Sequence, residues 1–258
     1  MPQGAFAEVA IGTGIFPAIF GGGDNCALRL DGTVVCWGPG DLDNTPTDLF
    51  SSIAVGSAHA CGLKLDGTLV CWGSGPIFTN GLPSPAETFK SVSAGTWMTC
   101  AIRTDDSLYC WGYDDLFPRG IAGLLPAGAY TQVDVSENFA CAVRSDNKIV
   151  CWGRWGESWC LDLLFCDASG RCEPSREVEC PRAAVLDQDG FVGVATGSYY
   201  ACGVNLAGGV FCWEMLSLDD RDDECRRLRI PPPGGDVVEI AARGQACGLR
   251  TDGSVQCW

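Results

Sequence analysis

The chain has one histidine, three lysines and three methionines in 258 residues. It has no GxSxG, HExxH or phosphate-loop pattern, so the case for an enzyme is poor and no cofactor or metal is called for. Basic charge is scarce: Lys and Arg total 17 against 32 Asp and Glu, a net charge of −15. Nucleic-acid binding by counterion release needs basic surface, so this balance argues against it. The same charge would repel an anionic membrane, and no apolar run has membrane-spanning length. Residues 9–20 are apolar, but the first basic residue is Arg29, which is not the order of a signal peptide.

Cysteine is abundant, with 17 residues. It recurs in a fixed frame: CALRLDGTVVCWG from Cys26, CGLKLDGTLVCWG from Cys61, CAIRTDDSLYCWG from Cys100, CAVRSDNKIVCWG from Cys141, CGVNLAGGVFCWE from Cys202 and CGLRTDGSVQCW from Cys247. Each unit has Cys at i and i+10 and Trp at i+11, and a repeat at this period means a modular array. Counting places the cysteines opposite each other. A three-residue loop, Leu65-Asp66-Gly67, pairs Lys64 with Thr68, Leu63 with Leu69 and Cys61 with Cys71. Such a loop ends in a left-handed residue, which falls on Gly32, Gly67, Asp106, Asn147, Gly208 and Gly253. Those residue types tolerate that conformation. Opposed strand residues lie within disulfide reach. Six pairs therefore read as staples across six hairpins: Cys26 with Cys36, Cys61 with Cys71, Cys100 with Cys110, Cys141 with Cys151, Cys202 with Cys212, and Cys247 with Cys257.

Alternation puts Cys61, Leu63, Leu69 and Cys71 on one face and Gly62, Val70 and Trp72 on the other. A sheet apolar on both faces is sandwiched between neighbours, as a propeller blade is. The small residue after the first cysteine (Gly62, for example) is expected to let the Trp of the same or the next blade approach. A third element precedes each hairpin: FAEVAIG from Phe6, FSSIAVG from Phe50, FKSVSAG from Phe89, YTQVDVS from Tyr130, FVGVATG from Phe191 and VVEIAAR from Val237. It reads as a strand ending at a tight turn.

This pattern resembles the regulator of chromosome condensation repeat, best at Ile53, Gly56, His59, Leu63, Asp66, Gly67, Val70, Trp72 and Gly73. The cysteine-rich form looks like the extracellular propellers of crinkly-type receptor kinases and of secreted bacterial proteins. The resemblance implies an all-β propeller across residues 1–258, one domain, with a Cys-rich insertion at 154–190 and an acidic one at 214–236. The family's propellers usually have seven blades; six repeats are legible here. Paired cysteines place the chain in an oxidising compartment, extracellular or at the cell surface. The sixth unit lacks its Gly and the segment after it, and residues 1–5 are too few to supply them. The sequence therefore reads as a piece of a longer chain or one whose leader was removed.

The turn before each hairpin recurs at one end of the blades and carries His59, Trp97, Met98, Asn138, Phe139, Tyr199, Tyr200 and Gln245. Either these groups anchor a protein partner or they plug the channel and cap the blades. The resemblance favours the first, since propeller inhibitors of β-lactamases in this family bind through aromatics on one face. The hairpin loops at the other end read as charged and small. The insertion holds Trp155, Trp159, Cys160, Cys166, Cys172 and Cys180, with Cys225 further on. A stapled surface loop fits better than zinc, because CxxC knuckles are missing. Acidic runs at Asp41–Asp43, Asp187–Asp189 and Asp219–Glu224 read as solvated loops rather than calcium sites. Three functions follow: a protein-binding propeller, a structural subunit of an extracellular assembly or filament, and a lectin stacking sugar on Trp97 or Trp155.

Overall fold

The computed structural model describes residues 5–12, 23–38, 42–74, 82–112, 127–137, 139–153, 162–166, 172–174, 184–186, 190–198, 200–216 and 235–258. Six three-strand antiparallel meanders follow one another. Blade 1 is β1 (Phe6–Ile11), β2 (Asn25–Arg29) and β3 (Val34–Trp37), and a short 3-10 turn at Leu42–Asn44 follows it. Blade 2 is β4 (Phe50–Val55), β5 (His59–Lys64) and β6 (Leu69–Gly73); blade 3 is β7 (Phe89–Ala94), β8 (Met98–Arg103) and β9 (Leu108–Gly112). Blade 4 is β10 (Tyr130–Val135), β11 (Phe139–Arg144) and β12 (Ile149–Gly153). In the insertion lie β13 (Asp162–Cys166), β14 (Cys172–Pro174) and β15 (Ala184–Leu186). Blade 5 is β16 (Phe191–Thr196), β17 (Tyr200–Asn205) and β18 (Val210–Leu216); blade 6 is β19 (Val237–Ala242), β20 (Ala246–Arg250) and β21 (Val255–Cys257). The insertion strands extend two blades: β15 pairs with β12, and β13 pairs with β18 and β14. This is β-propeller blade architecture, and no helix among the described residues is long and apolar enough to cross a membrane.

The chain divides into two compact units, Met1–Ala129 with Val135–Asn138, and Tyr130–Asp134 with Phe139–Trp258. Within both, the hairpins follow the counted register. Cys61 faces Cys71 and Leu63 faces Leu69, and the Gly67 N–H donates to Lys64 O at 3.0 Å. All six expected left-handed residues have positive φ, including Asp106 at 70° and Asn147 at 61°.

The six expected staples are formed. Cys26–Cys36, Cys61–Cys71 and Cys100–Cys110 lie in the first unit, and Cys141–Cys151, Cys202–Cys212 and Cys247–Cys257 in the second, all with Cα atoms 4.0–4.1 Å apart. The two ends of a staple are not equally covered. Cys26, Cys61, Cys100, Cys141 and Cys202, on the middle strands, are fully buried. Their partners sit on the third strand, an edge of the meander. There Cys36, Cys71 and Cys212 are only partly buried, and Cys257 is exposed. Cys110 and Cys151 are buried, and Cys151 has a further strand beside it, facing Ala184 of β15.

The left-handed turn also docks the next blade. Its carbonyl accepts the N–H of the first residue of the following blade: Phe50 to Gly32 O at 2.8 Å, Phe89 to Gly67 O at 2.7 Å, Phe191 to Asn147 O at 2.9 Å and Val237 to Gly208 O at 3.2 Å. Between blades lies a repeated core. The Cys61–Cys71 staple packs with Leu63 against Phe89 and Trp111 of blade 3. In the second unit Cys141 and Cys151 pack against Phe191 and Trp213, and Cys202 and Cys212 pack against Val237, Ile240 and Trp258. Trp111, Trp213 and Trp258 therefore bury toward the preceding blade. In blades 2 and 5 the small residue after the first cysteine serves a different neighbour from the one expected. A Cβ on Gly62 would run into the Phe50 ring, and one on Gly203 would meet Phe191 at 2.7 Å. At these two positions it makes room for the aromatic of its own first strand, whereas at Gly248 a Cβ would meet Val237 and then, at 3.4 Å, Trp258 of the same blade.

Polar side chains of β1, β7 and β10 satisfy backbone groups of the next blade's first strand, which no ladder reaches. In the second unit Gln132 clamps Val194: the Val194 N–H donates to Oε1 at 2.9 Å, and Nε2 donates to Val194 O at 3.2 Å. Asp134 accepts from both the N–H and the hydroxyl of Thr196. In the first unit Glu8 accepts the Ile53 N–H at 3.2 Å, and Ser93 Oγ accepts the Val135 N–H at 3.0 Å. Partial burial pushes the Glu8 carboxyl above its ordinary range.

Candidate functional site

The turn that ends each first strand is built by close approach. The Gly56, Gly95 and Gly197 N–H groups bond back to His59, Met98 and Tyr200 carbonyls at 2.7–2.8 Å. A side chain on Gly56 would strike both the Gly95 carbonyl of the next blade and the His59 ring. One on Gly95 would strike the Ser136 carbonyl, and one on Gly12 would come within 2.7 Å of Gly56 O. At Gly12, Gly56 and Gly95 the turns are stacked against one another by backbone and only glycine fits, whereas blades 4 and 6 carry Ser136 and Arg243 at this position.

The eight candidate anchors separate into two sets on this frame. The residue two before the first cysteine is directed into the fold: His59, Met98, Phe139 and Tyr200 are all buried. Their reading as exposed anchors is corrected here, because successive strand residues point to opposite faces and this position faces the next blade. Gln245, the same position in blade 6, is exposed. The residue one earlier, at the tip, is Trp97 in blade 3, and it is partly exposed. Asn138 and Tyr199, at the same tip position, lie outside the described residues.

His59 shows what the buried position does. Its Nε2 lies 2.8 Å from Thr99 Oγ1 in blade 3, both groups being buried. Burial lowers its pKa to about 4, so the ring is neutral at physiological pH. The single histidine is part of a blade joint. Tyr200, at the same position in blade 5, packs with Val237, Ile240 and Ala246 of blade 6, and burial pushes its phenol up to about 12. Sequence reading missed the blade 1 member of this set, Asp24. It is 3% exposed and accepts the Leu42 N–H at 3.3 Å. Its spacing, two before Cys26, was the available signal.

At the opposite end the hairpin turns are locked by aspartates. Asp66 accepts both the N–H and the hydroxyl of Thr68, at 2.9 and 2.6 Å. Asp31, Asp105 and Asp252 repeat the motif with Thr33, Ser107 and Ser254, and these bonds hold all four carboxyls below their usual range. Leu30, Leu65 and Leu206 stand exposed at the tips, so this end is less polar than its charged turns suggest. Among the described residues no three His, Cys, Asp or Glu converge as a metal site would require. In the insertion Cys166 stands opposite Cys172 in the β13–β14 register. Trp155, Trp159, Cys160, Cys180, Cys225 and the acidic runs at Asp187–Asp189 and Asp219–Glu224 lie outside the described residues, as do Asp41 and the side chain of Asp43.

The repeat pattern described as the regulator of chromosome condensation (RCC1) repeat matches residues 50–76 and 89–116, which are blades 2 and 3. Two of the six repeats, in blades 2 and 3, thus match the RCC1 repeat. Among solved structures, it is similar to the CRINKLY WD40 ectodomain of the Arabidopsis thaliana receptor kinase ACR4, at 23% identity and a TM-score of 0.67, over 99% of this chain and 82% of that one. It is similar to the entire ectodomain of the Physcomitrella patens receptor kinase CR4, at 22% identity and the same TM-score, over 99% of this chain and 64% of that one. It also resembles Prp20p of Saccharomyces cerevisiae, a protein studied for binding to Gsp1p and histones, at 14% identity and a TM-score of 0.61, over 91% of this chain and 69% of that one. These likenesses show the β-propeller fold. No curated protein matches. The hairpin turn, the CW tryptophan and the turn glycine of this chain are thus accounted for by joints between blades.

Proposed function

We propose that this chain is a non-enzymatic propeller of the extracellular space or cell surface that binds a protein partner through the turn end of its blades. Trp97 carries the reading. It is a partly exposed tryptophan on a turn whose backbone is locked by glycine stacking, so an aromatic anchor is presented at little entropic cost. The staples support an oxidising compartment. The single histidine, neutral and bonded to Thr99, is committed to structure. The net charge of −15 favours a protein over a nucleic acid.

A second reading has its own observation: Leu30 and Leu65 are exposed on the hairpin turns of blades 1 and 2. Both are tested on one array of extracellular proteins probed with the labelled chain. Trp97→Ala should weaken captured partners at least tenfold, whereas Asp66→Ala should not. If Leu30→Ser with Leu65→Ser abolishes capture and Trp97→Ala leaves it intact, the partner sits on the hairpin end. Binding confined to a glycan array would replace both readings with a lectin.

A further inference from the structure

Staples of one pattern differ in how far their outer cysteine is covered. Those of blades 2 to 5 compare directly, since each blade has another before it and after it in the chain. The middle-strand cysteines, Cys61, Cys100, Cys141 and Cys202, are all fully buried. The third-strand cysteines are not alike. Cys110 and Cys151 are 5% and 0% exposed, whereas Cys71 and Cys212 are only partly buried. Strand pairing accounts for part of this. Cys151 faces Ala184, so β15 runs beside β12 at the staple itself. β13 joins β18 at Met215 and Leu216, beyond Cys212. Among the described residues no outer strand pairs with β6 or β9; Cys110, on β9, is nonetheless buried.

We propose that Cys71 and Cys212 are sites of thiol–disulfide exchange, where an external dithiol opens the Cys61–Cys71 and Cys202–Cys212 staples and leaves Cys100–Cys110 and Cys141–Cys151 closed. All four bridges have the same sequence separation of 10 and the same strand positions. Access to a sulfur is what separates them, and exchange rates depend on access. The incoming thiolate bonds to Cys71 Sγ as the S–S bond breaks. Cys61 leaves as a thiolate and takes up a proton. The second thiol of the reductant then displaces Cys71, which is protonated in turn. Two electrons and two protons pass from the dithiol to the staple, and the dithiol becomes a disulfide. The same steps apply at Cys212 and Cys202.

The consequence falls on the joints. Cys61 and Cys71 pack with Leu63 against Phe89 and Trp111, and Cys202 and Cys212 pack against Val237, Ile240 and Trp258. The hairpins they close present the Gly67 and Gly208 carbonyls to the Phe89 and Val237 N–H groups. Opening therefore loosens the joint of blades 2 and 3 and that of blades 5 and 6. Neither Trp97 nor the hairpin leucines take part.

The test treats the oxidised full chain with graded dithiothreitol, quenches it at intervals with iodoacetamide and maps the alkylated cysteines by mass spectrometry. Cys61, Cys71, Cys202 and Cys212 should be labelled at least tenfold faster than Cys100, Cys110, Cys141 and Cys151. In guanidinium chloride the four staples should open at similar rates. In the partly reduced chain, amide hydrogen exchange at Phe89 and Val237 should rise at least tenfold. Phe191, whose N–H bonds to Asn147 O beside a closed staple, should keep its rate. Opening of all four staples in one step would overturn the proposal, by making unfolding the route, and so would earlier opening of Cys100–Cys110 or Cys141–Cys151. A preference that persists in guanidinium chloride would overturn it as well, by placing the difference in local sequence. Unchanged exchange at Phe89 and Val237 would overturn the coupling to the joints.

Discussion

β1 and β4 have nearly the same sequence pattern and opposite burial. FAEVAI and FSSIAV both form six-residue strands that pair with the next strand through a bulge after the first residue. Ile53 and Val55 are buried; Val9 and Ile11 are not. The difference is the neighbour. β4 lies against β1, and Glu8 reaches across to the Ile53 N–H. Strand formation is thus local, and burial belongs to the joint.

The largest break in that comparison is at the tryptophans. Trp72→Ala should cost about 3–5 kcal/mol, because an aromatic in a packed joint leaves a cavity. Trp37→Ala, in the same motif on the open face of blade 1, should cost less than half of that. Thermal unfolding of the two variants decides it; equal losses would mean that the motif, not the joint, supports the fold.

Next comes a pH effect at the turn position. His59 holds a pKa of about 4 in the fold, below its ordinary value near 6.5. Above pH 6.5 neither state binds the proton and stability is full. Between pH 6.5 and about 4 only the unfolded chain is protonated, so stability falls on acidification by on the order of 3 kcal/mol. Melting His59→Asn beside the wild type across that window should show a shallower slope. Gln245→Asn, at the exposed counterpart, should leave the slope unchanged. Parallel slopes for wild type and His59→Asn would place the acid sensitivity elsewhere.

The smallest effect sharpens the comparison furthest. Gln132 and Glu239 occupy the same strand position, one clamped on Val194 and the other exposed. Gln132→Ala should cost about 1–3 kcal/mol, since it leaves backbone groups of Val194 unpaired. Glu239→Ala should stay within about 0.5 kcal/mol. Urea midpoints at equal m-values give both numbers, and a costly Glu239→Ala would show that this face is already covered.

Much of the fold was legible because its signals are local. The ten-residue cysteine spacing and the turn residues together specify a hairpin register, and all six left-handed positions follow from loop length. The surface was less legible. Trp97 and Met98 are neighbours in sequence, yet one is partly exposed and the other is buried. That alternation depends on where the next blade lies. The same holds for the outer cysteines: Cys36 and Cys212 are half-covered and Cys110 is buried, although all three precede the same tryptophan. Nor could the residue made room for by Gly62 be named from sequence, because Phe50 and Trp72 are equally available along the chain.

By itself, the sequence determined what a single repeat can satisfy alone: strand alternation, the three-residue turn, and the opposed cysteines, all set by contacts within about a dozen residues. Only the tertiary structure decided which identical positions are core and which are surface. Burial needs a second blade to supply the apolar cover and the turn carbonyl. Blade 2 has that cover at Ile53 and Val55, and blade 1 lacks it at Val9 and Ile11.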